Sequence, residues 1–247
     1  MMEINHLVFV LFATLALYCQ AFVGRHHGIQ LAGAKTMLTG KSKASNFRMM
    51  AGGNVPPLDD FEIGTESAVG RILLAGTNEY NHFLMKGTVL VVEQDENGAK
   101  GLLLDKQTAF LMGEMVPQFR GSVFRDNKLF TGGEQGPNSI VVLHARPDLP
   151  GARPVGGCGL ALGGAQAAEE AVEHDGADPA GFKFLFNFVG FQPGQLEQQV
   201  AAGQWDVLVP GPGHVPYLLC QEHNDGMWSQ LRNRLAALRS MSNKLDQ

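Results

Sequence analysis

The sequence predicts an α+β fold in a single domain, and three observations predict it. Apolar, strand-like runs come in pairs before and between helical segments, without the regular β-α-β alternation that builds a parallel sheet. One pair, Gly87–Glu93 (GTVLVVE) and Gly101–Leu104 (GLLL), flanks an Asp95-Glu96-Asn97-Gly98 turn, where Asn and Gly accept the positive φ of a hairpin. A closing helix then carries Trp228, Leu231, Leu235 and Leu238 on one stripe, with Arg232, Arg234 and Arg239 largely outside it and Asp225 as its cap. Composition agrees: the 247 residues are 45% hydrophobic and 17% charged, which is globular and sufficient for one sizeable core.

The first 50 residues read as a presequence. Leu7–Tyr18 (LVFVLFATLALY) is an uncharged apolar run of 12, too short to span a bilayer and right for the core of a signal peptide ending at Ala21. From Phe22 to Met50 there are five basic residues (Arg25, Lys35, Lys41, Lys43 and Arg48) and no acid, the composition of a transit peptide. A signal peptide joined to such a segment resembles the bipartite plastid presequence of algae with secondary red-lineage plastids, and Ala21-Phe22 is similar to its cleavage motif. The expected destination is therefore the plastid (chloroplast) stroma, with secretion as the alternative. Thr39-Gly40-Lys41-Ser42 ends like a phosphate-binding loop, but Lys35 stands where that loop needs its first glycine. The expected organisation is a signal peptide over 1–21, a transit-peptide-like segment over 22–50, a flexible lead-in over 51–70, a domain over 71–240 and a tail over 241–247.

Within the domain, Arg71–Ala75 (RILLA) is the first core segment and Asn81–Lys86 a helical turn before the hairpin. Lys128–Thr131 and Ser139–His144 read as strands around a Gly132-Gly133-Glu134 turn. Ala145–Gly164 is rich in Pro and Gly and reads as loop, Gln166–His174 as a short helix, and Lys183–Val189 (KFLFNFV) as a strand. Pro193 suits a first helical position, Leu196 and Val200 share a face, and Gly203 closes that helix before Trp205–Val209 re-enters the sheet.

Chemistry is scarce. Beyond the presequence, 14 Lys and Arg stand against 23 Asp and Glu, a net charge of −9 with His neutral. An acidic domain without a basic stripe is poorly suited to gripping a phosphate backbone, so nucleic acid is not an expected partner. Nor is a membrane span expected there. Cys158 and Cys220 form no CxxC pair and read as buried free thiols. There is no HExxH, no GxSxG and no EF-hand loop, and Gly157, Gly159 and Gly163 are one residue too widely spaced for a dinucleotide fingerprint. No catalytic set, metal site or cofactor is expected. His144 ends a strand beside a loop, where functional residues often sit. Gln195 and Glu197 follow Gly194 at a helix start, which can hold an anion through free N–H groups, and Trp205 beside them reads as core.

Taken in order, several blocks resemble the AlgH/YqgE family. GTVLVVEQDENGAKGLLLDK (Gly87–Lys106) is similar to its strand, acidic-Asn-Gly-Ala turn and Gly-led strand. FTGGEQGPNSIVVLH (Phe130–His144) resembles its Gly-Gly-Pro turn and following strand, and FNFVGFQPGQLEQQVAAGQWDV (Phe186–Val207) its Gly-Gln-Leu-Glu block and later Trp. Glu134 departs from the family's proline, and Phe191 stands where a tryptophan is commoner. The resemblance implies a bent, partly folded-over mixed β-sheet with several helices, and implies no established activity. Three functions compete. One is a non-enzymatic regulatory domain recognising a small ligand or protein partner through the loops around Gly132, Gly133 and Gly194, Gln195, Glu197. The second is an enzyme using His144 with a carboxylate such as Glu197. The third is a transcriptional regulator, as the resemblance to bacterial members suggests.

Overall fold

The computed structural model describes residues 61–77, 81, 83–221 and 226–245, so the presequence, His82 and the Asp225 cap lie outside the described residues. Eleven strands among them form one mixed sheet. Its first part holds Glu62–Gly64 (β1), Ile72–Ala75 (β2), Thr88–Asp95 (β3) and Gly98–Leu103 (β4), with Trp205–Val209 (β11) between β1 and β2. The second holds Gln107–Leu111 (β5), Lys128–Thr131 (β6), Gln135–His144 (β7), Ala152–Pro154 (β8) and Ala161–Gly163 (β9).

Lys183–Phe191 (β10) belongs to both parts. Its residues 184–186 run parallel to β6 on one side and antiparallel to β7 on the other. At Asn187 the backbone turns left-handed (φ 62°), the register with β7 shifts, and Val189–Phe191 pair β4 instead. One non-glycine residue in that conformation kinks the strand, and the kink bends the sheet. This is the α+β fold that the strand and helix pattern predicts, with the bent mixed sheet that the family resemblance implies.

Alternation along the strands separates two cores. Ile72, Leu74, Leu90, Leu102 and Leu208 face one way, onto Val215–Leu219 (α4) and Gly226–Leu245 (α5). Leu73, Val89, Val91, Leu103 and Val207 face the other, beneath Gln195–Ala201 (α3). A third cluster joins β6, β7 and β10 to Met112–Met115 (α1) and Ala165–Asp175 (α2). Period 2 puts successive side chains on opposite faces, and a sheet covered on both sides reads as continuous apolar runs.

Several expectations are corrected. The lead-in over 51–70 contributes Phe61, 2% exposed, and β1, which pairs β11; three residues are too few to show a period. The expected loop over 145–164 contains the β8–β9 hairpin. Gln107–Met115, unassigned in the sequence, forms β5 and α1. The tail expected over 241–247 begins inside α5, which runs to Leu245. Pro193 lies outside the helix: Gly194 (φ 73°, ψ −8°) is the cap, and the Gln195 N–H reaches the Gln192 carbonyl at 2.9 Å. Pro-Gly at the centre of a type II turn satisfies both residues' backbone preferences at once, and the turn wins.

The α3 end follows the sequence. Gly203 is left-handed (φ 72°), its N–H bonds Val200 and that of Gln204 bonds Gln199, the paired closure of a Schellman motif. Trp205 follows at 3% exposure, edge-on to Phe191 and with its indole Nε1 donating to Gln199 Oε1 at 2.9 Å. Trp205→Ala should cost about 3–5 kcal/mol in a denaturant melt. Gln195→Ala, losing one half-exposed hydrogen bond, should cost about 1 kcal/mol or less; the reverse order would overturn the assignment of core and surface.

Lys183 is the least expected core residue. It is fully buried, its ammonium donating to the Leu218 and Cys220 carbonyls at 3.3 and 3.2 Å and standing 4.3 Å from the Phe130 ring. It thereby caps α4 from the sheet, a favourable place for a cation. Burial nevertheless pushes its pKa from 10.5 down to about 7, against the opposing pull of Asp105. Burial likewise pushes the Asp105 carboxyl above the usual range. Between about pH 7 and 10.5 the unfolded chain holds a Lys183 proton that the folded chain has lost. Stability therefore rises with pH across that window and the penalty of burying the charge is complete below it. Denaturant melts from pH 7 to 9.5 should show wild type gaining up to about 1.4 kcal/mol per pH unit over Lys183→Met; parallel profiles would refute the lowered pKa of Lys183.

Candidate functional site

A cleft of about 300 Å³ opens where β10 ends and α3 begins. On one wall stand Glu134 and Gln135, on the other Gln192, Gln195, Gln199 and Gln204. Val189, Gly190 and Phe191 form the strand between them, and Asn81, Phe83 and Leu84 close the end. A shallower depression of about 220 Å³ shares Gln135, Gly190, Phe191 and Gln192 and continues past Phe188 toward Glu93, Asp95 and Lys100.

The link from β6 to β7 positions the first wall. It crosses over β10, with the Gly132 N–H on the Phe186 carbonyl at 2.7 Å and the Leu103 N–H on the Gly132 carbonyl at 2.8 Å. A Cβ at Gly132 would overlap the Asn187 carbonyl, and one at Gly133 the Phe188 backbone. Both residues are buried, so they shape the site and present no contact group to it. The crossing delivers Glu134 and Gln135 to the cleft, both exposed. Gln135 lays its carboxamide over Gly190, in space that any side chain at 190 would need.

The type II turn positions the second wall. Gly194 is exposed, and Gln195 folds back so that its Oε1 accepts from the Gln192 N–H at 2.8 Å. Gln199 Oε1 accepts from the Trp205 indole. With both oxygens engaged, these two carboxamides are left with their Nε2 hydrogens to donate. The anion-binding expectation for this helix start is not supported. The helix has seven residues with Glu197 in its first turn, and the Gln195 N–H is already taken by Gln192. Glu197 itself lies outside the cleft lining, accepting from Gln94 Nε2 at 2.6 Å while Gln94 also donates to Ser67 at 3.0 Å.

His144 belongs to neither wall. It pairs with Ala161 on β9 beside the Lys183 end of β10, whereas Gln195 and Glu197 follow the Phe191 end. Its ring is buried; Nε2 donates to the Gly163 carbonyl at 2.9 Å and Nδ1 accepts from the Arg146 N–H at 3.1 Å. Burial lowers its pKa, and both nitrogens are occupied, which suits a neutral structural imidazole. The expected His144–Glu197 pairing is not formed. The nearby carboxylate is Asp148, bound to Arg146 through two nitrogens.

Of the sequence-predicted site residues Gln195 alone lines the cleft; Gly132, Gly133 and Gly194 shape the segments that carry its walls, and His144 and Glu197 lie outside it. Sequence reading missed Gln135, Gln192, Gln199 and Gln204. A signal was present: Gln192–Gln204 holds five glutamines in thirteen residues. Among the described residues no His/Cys/Asp/Glu cluster could hold a metal, and Cys158 and Cys220 are free thiols. No helix among them is long and apolar enough to cross a membrane.

The sequence profile of the AlgH-like family (DUF179) matches residues 72–238. UPF0301 protein BF2109 of Bacteroides fragilis is 24% identical over 183 residues, covering 72% of this chain and 90% of that protein. UPF0301 protein MCA0413 1 of Methylococcus capsulatus is 26% identical over 170 residues, 68% of this chain and 91% of that one. Protein DIP2367 of Corynebacterium diphtheriae has a similar crystal structure, with a TM-score of 0.56 and 19% identity over 68% of this chain and 87% of its own, a likeness of fold alone. Since the matched region runs from β2 through β11 into α5, the chain belongs to the AlgH-like family.

Proposed function

We propose that this protein is a plastid-targeted, non-enzymatic regulatory domain that holds a small ligand or part of a protein partner in the glutamine-lined cleft. One observation carries the reading: two segments about 60 residues apart, 134–135 and 192–204, meet across Gly190 and supply only carboxamides and one carboxylate. Carboxamides both donate and accept hydrogen bonds at any ordinary pH, which suits recognition. Among the described residues the only titratable lining group is Glu134, and it has no nucleophile or base beside it.

A thermal-shift screen on protein beginning near Ala51 tests the cleft. A ligand at 100 times its Kd should raise stability by about 2.7 kcal/mol. Gln135→Ala, a change at an exposed side chain without a protein partner, should weaken that ligand about tenfold or more while leaving the unliganded melt nearly unchanged. Ligands indifferent to Gln135→Ala would place binding elsewhere.

The destination rests on Ala21-Phe22 and the acid-free basic stretch that follows. Residues 1–50 fused to a fluorescent protein should enter the plastid of an alga with secondary red-lineage plastids. Phe22→Ala should hold the fusion outside, and plastid signal from both versions would sink the motif argument.

A further inference from the structure

We infer that the occupant of the cleft is an extended peptide carrying a lysine or arginine, which adds a short strand to the open edge of β10 at Gly190. The inference deepens the binding reading above and rests on it.

The edge is the first observation. β7 accompanies β10 only as far as the Gln135–Phe188 pair, and Val189–Phe191 pair β4 on the opposite side. Beyond Phe188 no strand among the described residues occupies the β7 side. The Phe191 carbonyl oxygen lies on the β4 side, where a Cβ on Gly98, the first residue of β4, would overlap it. Hydrogen-bonding directions alternate along a strand, so the N–H and C=O of Gly190 turn to the open side, which is the cleft. An unpaired edge of this kind is a template for another strand.

The lining is the second. An extended peptide presents alternating N–H donors and C=O acceptors on both of its edges. Gln195 and Gln199 have oriented Nε2 donors for carbonyls, and the Gln135, Gln192 and Gln204 side chains have no protein partner among the described residues. Free carboxamides serve either group. A sugar or other polyol would use the same amides, but it would leave the strand edge unpaired.

Charge is the third. Glu134 is exposed at the rim, without an ion pair or hydrogen bond among the described residues. In the adjoining depression Glu93 is held by Lys100 at 2.7 Å and Arg153 at 2.9 Å, and Asp95 accepts the Asn97 N–H at 2.7 Å, so Glu134 is the carboxylate without a partner that lines the cleft itself. A cation on the peptide complements it, whereas a peptide carboxylate there meets repulsion. At about 3.3 Å per residue, the cleft and depression together take a segment of roughly four to six residues.

The test uses full-length protein and an array of hexapeptides capped at both ends, each carrying one fixed Lys or one fixed Glu. Fluorescence polarisation should find Lys peptides that saturate, with their Glu counterparts at least about tenfold weaker. Glu134→Gln should remove that discrimination, and Gln135→Ala should weaken the Lys peptides at an unchanged melting temperature. N-methylation of alternate residues in one register should abolish binding, while methylation in the other register should be tolerated. Equal binding of Lys and Glu peptides, or indifference to both N-methylation registers, overturns the inference. So does failure of every array member. If a small molecule then occupies the cleft, the binding reading survives without the peptide. Peptides indifferent to both Gln135→Ala and Glu134→Gln would remove the cleft as a binding site altogether.

Discussion

The structure depends on the passage of the β6–β7 link over β10. β6 and β7 flank the first half of β10, so the three residues between them must climb across its backbone. No side chain fits beneath that crossing, which is why Gly132 and Gly133 stand there. The strand responds at the same point, with Asn187 left-handed and the register shifted. Bend, crossing and change of partner are one event. It frees the second half of β10 to pair β4, and so joins the two parts of the sheet into one.

The cleft is a by-product of that event. Because β7 begins only after the crossing, it cannot follow β10 past Phe188, and an edge opens where a continuous sheet would have none. At the far end of the same strand the opposite solution is used. There Lys183 turns inward and its ammonium satisfies the last carbonyls of α4, closing the structure against solvent. A buried ammonium is a weak source of net stability, since its desolvation cancels much of what its contacts provide. Its more definite effect is to fix where α4 meets the sheet.

Much of the fold was legible because it rests on local chemistry. The β3–β4 hairpin, the Gly203 helix closure, buried Trp205 and the α5 stripe each follow from residues close in sequence. Short or non-local features were not legible. β1, β8 and β9 have three residues each, too few for a period to appear. Lys183 looked like the polar start of an apolar strand, and only the three-dimensional fold supplies the carbonyls that admit it. The candidate site was half legible. Its glycines and Gln195 mark unusual backbone, which sequence reveals, but glutamines are ordinary surface residues until folding sets five of them around one strand edge. His144 misled for the converse reason. A strand-end histidine beside a loop looks functional, and here both ring nitrogens are spent on backbone.

Core and cleft are not independent. The indole of Trp205 is buried as an apolar body, yet its N–H fixes the oxygen of Gln199 and so decides which end of that carboxamide faces the cleft. The Gln192 N–H does the same for Gln195 from within the turn that starts the helix. Each of these two amide donors is thus oriented by a group needed for folding. A glutamine free at both ends would have to be ordered on binding, at about 0.5–1.5 kcal/mol for a rotamer-rich side chain. Two that are ordered in advance lower that cost. The Schellman closure at Gly203 sets the geometry of the Trp205–Gln199 pair, because it turns the chain from α3 back to Trp205 within a few residues. The packing that stabilises this end of the sheet is also what orients its polar face.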